Sequence, residues 1–153
     1  MRGCLVVAQQ ARDEDGDAVR AAYKALGVSA DIRPFFDNMP ERRVRAQLVI
    51  CRSGASSVAD VAAVGRPAIL IPYAAAARDH QTANAEAMVA TGGAIRVPDD
   101  ELDADRLAAE LEPLLSDPER RRRMSDGIRS ASRLDAAAAV ADLVEAEAGP
   151  ERR

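Results

Sequence analysis

Tryptophan is absent from this chain of 153 residues, and aromatic side chains make up only 3% of it. So little ring surface excludes a protein that stacks bases or lines a lipid or sugar groove with aromatics. A single histidine excludes a multi-histidine metal site. The two cysteines, Cys4 and Cys51, lie far apart and outside any CxxC pair, so they read as reduced core thiols of a cytosolic protein. A basic excess is also missing: 21 Lys and Arg against 25 Asp and Glu leave a net charge of −4. That balance argues against a nucleic-acid partner held by electrostatics. No apolar run reaches the length of a bilayer span, and Met1 to Gln10 lacks the layout of a signal peptide. What is present is 48% apolar and 30% charged, which is globular and ample for a core. One domain over residues 1–148 is expected, with a frayed tail at 149–153.

Short apolar runs alternate with longer helical patterns. Cys4 to Ala8 has strand length, Asp13-Glu14-Asp15-Gly16 follows as a loop, and Ala18 to Leu26 carries apolar residues at helical spacing. Gly27 stands where a helix cap belongs. Ile32 to Phe36 is extended, with Pro34 awkward for a central strand, and Glu41 to Arg45 is a short helix. Leu48 to Cys51 and Ala68 to Ile71 read as buried parallel strands, Ala94 to Val97 as a last short one. Helices are expected over Val58–Val64, Gln81–Ala90 and Leu102–Leu115. A further one opens on the Ser116-Asp117-Pro118-Glu119 start signal, and the last runs over Leu134–Ala148. The apolar periodicity of these alanine-rich late helices points to packed elements. The alternation implies an α/β fold, a Rossmann-like parallel sheet with helices on both faces.

In such a sheet ligands bind beyond the carboxyl ends of the strands. Two loops lie there. Arg52 to Ser57 is a run of small residues entering a helix. Its free amides at the helix start suit a phosphate, Ser56 and Ser57 can add hydroxyls, and Asp60 one turn inside can accept from a ribose. The same pattern also fits a tight turn with a serine N-cap. The second loop, Tyr73 to Gln81, leads to Asn84. Gln81 and Asn84 are three apart and share a helix face, and amides that both donate and accept suit sugar hydroxyls. His80 fits the same pocket or a structural hydrogen bond, and no acid is placed to orient it toward a nucleophile. The arginine run Arg120 to Arg123 reads as a solvated face, with an anionic membrane surface as the alternative. Tyr23, Phe35 and Met88 read as core.

Three stretches taken together carry a resemblance: Cys51-Arg52-Ser53-Gly54-Ala55-Ser56-Ser57-Val58-Ala59-Asp60, Gly65-Arg66-Pro67-Ala68-Ile69-Leu70-Ile71-Pro72-Tyr73, and Asp79-His80-Gln81-Thr82-Ala83-Asn84-Ala85. With Phe35-Phe36-Asp37-Asn38-Met39 and Ser116-Asp117-Pro118-Glu119, this order of motifs resembles the carboxy-terminal half of the MurG family of bacterial glycosyltransferases. The resemblance implies the donor-binding domain of a GT-B enzyme, which moves N-acetylglucosamine from UDP-N-acetylglucosamine to lipid I, making lipid II for peptidoglycan. By position, the backbone at Phe36 would read uracil, and Asp60 would stand where the family has a ribose-binding Glu. Ala55, Ser56 and Ser57 would approach the diphosphate through backbone amides, and His80, Gln81 and Asn84 would contact the sugar.

The implied chemistry is inverting transfer with no metal and no cofactor, the acceptor 4-hydroxyl attacking the anomeric carbon as UDP leaves. The general base and the acceptor site are expected in an amino-terminal domain that this sequence lacks, as it lacks the family's first strand. Ala8-Gln9-Gln10-Ala11 stands where the family has His-Gln-x-Gly. The expectation is therefore an enzyme by family whose isolated chain is inactive, cytoplasmic and peripheral on the inner membrane face in its full form. Two alternatives remain open: a donor subunit completed by a separate membrane-associated acceptor protein, or a non-enzymatic UDP-sugar-binding remnant.

Overall fold

A computed structural model describes residues 5–76 and 79–148; Cys4, Arg78 and the expected tail at 149–153 lie outside the described residues. The chain divides into two compact units, Met1–Arg45 and Ala46–Arg153. In the first, strand β1 (Val6–Gln10) pairs in parallel with β2 (Ser29–Arg33), Val6 opposite Ser29 and Gln10 opposite Arg33. Helix α1 (Asp13–Ala25) connects them, and the short helix α2 (Met39–Arg45) follows. Ile32 and Phe36 are the buried apolar residues of this unit.

The acidic stretch expected as a loop is the first turn of α1 instead. Asp13, Glu14 and Asp15 sit at the positive end of the helix dipole, and Arg12 beside them pairs with Glu14 at 3.0 Å and Asp15 at 2.8 Å. Gly27 closes the other end as read from the sequence. At φ +66 it donates to the Lys24 carbonyl at 3.1 Å, and Val28 donates to Tyr23 at 3.0 Å, which is the Schellman arrangement. The strand also begins two residues later than expected, at Val6. Pro34 ends β2 as its missing N–H requires. Phe35, expected in the core, is 71% exposed.

The second unit holds a parallel sheet in the order β3-β4-β5, formed by Val49–Cys51, Ala68–Leu70 and Ala94–Arg96. Helices α3 (Ala55–Val64) and α4 (His80–Ala90) make the crossovers; α5 (Ala104–Ser116), α6 (Pro118–Arg129) and α7 (Ala136–Ala148) follow. Strand β4 is buried on both faces, and its period-two alternation sorts the core. Ala68 and Leu70 join Val61 and Ala62 of α3, Ala85 and Met88 of α4, and Ile128 of α6. Ile69 and the following Ile71 join Val97, Leu114 of α5 and Met124 of α6 on the other face. Helices therefore cover both faces of this sheet, as the α/β reading requires. No ladder joins β1 to β3 among the described residues, so the single sheet expected from the alternation is two parallel sheets, one in each unit.

The late helices depart from their expected start. Asp117, not Ser116, caps α6, its carboxylate accepting from the Arg120 N–H at 2.8 Å with Pro118 in the first turn. Ser116 ends α5 and turns its hydroxyl back to the Glu112 carbonyl at 2.8 Å. Arg121 is not part of a solvated face: its guanidinium donates to the carbonyls of Leu114 and Leu115 at the end of α5. Helix α7, expected to pack, has no buried residue.

Two glycines let α6 approach the sheet. A Cβ on Gly93, which leads into β5, would lie 2.5 Å from the backbone nitrogen of Ile128 and 2.6 Å from its Cα. A Cβ on Gly127 would strike the Thr91 carbonyl oxygen. Because backbone cannot swing aside as a side chain can, Gly93→Ala should destabilise the fold by about 3 kcal/mol, the upper end for overpacking. Urea unfolding checks this, the midpoint falling with an unchanged slope.

Candidate functional site

The site is built where β3 and β4 release the chain at their carboxyl ends. Ser53, which follows β3, is completely buried, and its hydroxyl donates to the Gln81 carbonyl at 2.8 Å. The Asn84 side-chain amide donates back to the Ser53 carbonyl at 3.0 Å. These two bonds latch the start of α3 to the first turn of α4, so the two loops singled out in the sequence meet. Gln81 uses its Oε1 to accept the Tyr73 N–H at 3.0 Å. Each amide thus spends one atom on the frame; the other, Nε2 of Gln81 and Oδ1 of Asn84, makes no hydrogen bond to the described residues.

The serine N-cap alternative does not describe α3. Its N-cap is Gly54, at φ −60 and ψ 148, which supplies no side-chain hydrogen bond. The amides of the first turn have no intrahelical acceptor by geometry. A Cβ at Gly54 would meet nothing within 4 Å, so the mouth of the helix is open. Uncapped amides, the positive end of a ten-residue helix and open space together form an anion-accepting mouth. Ser56 is exposed and Ser57 half-buried in that turn. Ala55, Asp60 and Asn84 line one groove of about 520 Å³, walled on the far side by Ala131 to Leu134 between α6 and α7. That volume is in the range of small-ligand sites. Ser56, Ser57, His80 and Gln81 lie outside its wall.

His80 is the exposed first residue of α4. Asp79 before it adopts φ 52, the left-handed region that a short polar side chain tolerates and most residues avoid. In the amino-terminal unit Phe36 is 3% exposed, its ring covered by the guanidinium of Arg42 at 3.9 Å and of Arg33 at 5.6 Å. Arg42 is held in turn by Asp31 at 2.7 Å and Asn38 at 2.8 Å. The Asp31 carboxyl lies below its usual range, first through the hydrogen bond from Arg33 and then through that from Arg42, against a cost of desolvation.

Sequence reasoning missed the residues that brace the site. Ser53 was visible only as one small residue of a loop, because its burial depends on two helices converging on it. Arg52 and Asp99 form an ion pair at 2.6 Å across 47 positions of sequence, which no local pattern announces. The hydrogen bond from Arg52 is the main reason that the Asp99 carboxyl lies below its usual range, and the Ala74 backbone contributes. Among the described residues no group of three His, Cys, Asp or Glu side chains is gathered as a metal cage.

Two outcomes follow for the frame. Ser53→Ala leaves the Gln81 carbonyl without its buried donor and should cost about 1–3 kcal/mol, read from urea unfolding. A carboxyl whose folded pKa is depressed contributes stability above its unfolded value and loses it as pH falls through the folded one. The difference in urea midpoint between the parent and Asp99→Asn should therefore be present at about pH 7 and fade below about pH 4.

The family profile of the glycosyltransferase family 28 C-terminal domain matches residues 2–143. Among curated relatives, the Brucella anthropi protein named UDP-N-acetylglucosamine–N-acetylmuramyl-(pentapeptide) pyrophosphoryl-undecaprenol N-acetylglucosamine transferase is 47% identical over 145 residues, which is 95% of this chain and 39% of the relative. The protein of the same name from Paramagnetospirillum magneticum is 49% identical over 144 residues, 94% of this chain and 39% of the relative. The crystal structure of Acinetobacter baumannii MurG superimposes with a TM-score of 0.81 at 28% identity, covering 91% of this chain and 40% of that one. A glycotransferase of kitacinnamycin, at 20% identity and a TM-score of 0.60, shares the fold. The chain thus spans about two-fifths of the length of the relatives it matches. With its helix-flanked parallel sheet and the open mouth of α3, the chain belongs to the glycosyltransferase family 28 C-terminal domain family.

Proposed function

We propose that this chain is the donor-binding part of an inverting glycosyltransferase that takes N-acetylglucosamine from UDP-N-acetylglucosamine and delivers it to lipid I. The observation that carries the proposal is the uncapped first turn of α3, latched through Ser53 to Gln81 and Asn84. It supports a division of labour along the donor. The amides of Ala55, Ser56 and Ser57 donate to the diphosphate oxygens, and the serine hydroxyls add donors. Asp60 accepts from the ribose hydroxyls. His80, Gln81 and Asn84 take the sugar. In the amino-terminal unit the backbone at Phe36 reads uracil, its ring pinned by Arg42 and Arg33.

Charge develops on the leaving diphosphate as the glycosidic bond breaks. Amides and a helix dipole already aimed at it stabilise that charge without reorganising, and this is how the chain contributes to rate. The general base and the acceptor site belong, in this proposal, to the part of the relatives that the chain does not span. That part is joined to it or carried by a separate acceptor protein at the membrane. No helix among the described residues is long and apolar enough to cross a membrane, and a peripheral position is proposed for the assembled enzyme.

Calorimetric titration tests the reading. UDP-N-acetylglucosamine and UDP should both bind, equally well with and without a chelator. Asp60→Ala should weaken UDP by about tenfold, the loss of a charged hydrogen bond, and reduce the preference for UDP over its 2′-deoxy analogue. A folded chain that takes up neither ligand overturns the proposal.

A further inference from the structure

Arg52 touches three loops at once. Its Nη1 donates to Oδ1 of Asp99 at 2.6 Å and lies 3.3 Å from the Pro72 carbonyl and 3.5 Å from that of Ile71. Its guanidinium also sits 5.4 Å from the centroid of the Tyr73 ring. The loops after β3, after β4 and after β5 are thereby tied to one side chain. The tie reaches the site through Tyr73, whose N–H donates to Oε1 of Gln81 at 3.0 Å. A glutamine amide presents an acceptor on one side and a donor on the other, and the two are nearly the same shape. Which of them faces outward is decided by what the other one binds. A donor fixed at the Tyr73 nitrogen holds Oε1 on the loop and leaves Nε2 on the opposite side of the amide.

We infer that Arg52, braced by Asp99, is a positioning residue for the donor sugar: it fixes the Pro72–Tyr73 backbone, and that backbone orients the Gln81 amide. The inference rests on the proposed role of Gln81 as a sugar contact. Arg52 is itself 47% exposed at its side chain and Asp99 24%, so the pair is a weak global stabiliser, and its consequence is local geometry. Misplacing one contact by a fraction of an ångström weakens what it binds, while contacts elsewhere on the ligand are untouched.

The experiment compares affinities for UDP-N-acetylglucosamine and for UDP, which lacks the sugar, in the parent, Arg52→Met, Arg52→Lys, Asp99→Asn and Gln81→Ala. Arg52→Met keeps bulk and removes the charge. It should weaken the nucleotide sugar about tenfold and change UDP by no more than about twofold. Arg52→Lys retains the ion pair and should recover part of the loss. Asp99→Asn should shift the same ratio in the same direction, and it carries the test if Arg52→Met fails to fold. Equal weakening of both ligands by Arg52→Met marks a general structural role or direct contact with the diphosphate, and overturns the inference. So does an unchanged ratio. A parent that binds both ligands, with a Gln81→Ala ratio like its own, removes the sugar contact and the inference together. A parent that binds neither ligand refutes the proposed function itself.

Discussion

A buried serine hydroxyl organises the functional end of this molecule. Ser53 has no solvent contact, so its hydroxyl and carbonyl must both find partners within the fold. They find them on one helix: the hydroxyl on the Gln81 carbonyl and the carbonyl on the Asn84 amide. An apolar residue at this position would keep the carbonyl bond from Asn84 but leave the Gln81 carbonyl without its donor. The same two bonds that satisfy Ser53 set the separation of the two helix starts. They also use one N–H of the Asn84 amide and leave its carbonyl oxygen uncommitted to the latch. Frame and site are therefore the same hydrogen bonds seen from two sides.

That frame stands on a sheet with little freedom to move. Ala68, Ile69 and Leu70 have no exposed surface, and burial of side chains of this size stabilises by about 1.5–3 kcal/mol for each large one. Helix α6 reinforces the arrangement from below. It reaches one face of the sheet through Ile128 and the other through Met124, and Gly93 and Gly127 allow its backbone to close on the strand. Ser125 adds a hydrogen bond to the Gly65 carbonyl at 2.5 Å, at the left-handed residue that ends α3. The loops at the opposite end carry the polar groups, supported by a core that sets where each strand stops.

The α/β class, the crossover helices and the two loops with their small and amide residues were legible in the sequence. Each of those signals is local. Apolar period distinguishes β4 from α3, Gly27 and Gly65 mark helix ends, and Gln81 and Asn84 share a face by spacing alone. What the sequence obscured involved competition between local signals. Asp13 to Asp15 looks like a loop by polarity, yet the helix dipole makes it a first turn. Ser116 and Asp117 both fit a cap, and only the carboxylate of Asp117 takes the amide. Arg120 to Arg123 is one charge run in sequence and several different environments in space, because a helix turns successive residues about 100° apart.

By itself, the sequence determined the family, the class of fold and the chemistry available at each motif, since these depend on residue type and on spacing within one element. The tertiary structure alone decided which groups remain free to act. The bonds of Ser53 to Gln81 and Asn84 and the pairing of Arg52 with Asp99 depend on contacts between segments distant in sequence, and the Tyr73 N–H on Gln81 Oε1 depends on how the intervening loop folds back. Hydrogen-bond capacity is finite: an amide or hydroxyl already spent on the fold is unavailable to a ligand, and only the folded arrangement shows which have been spent.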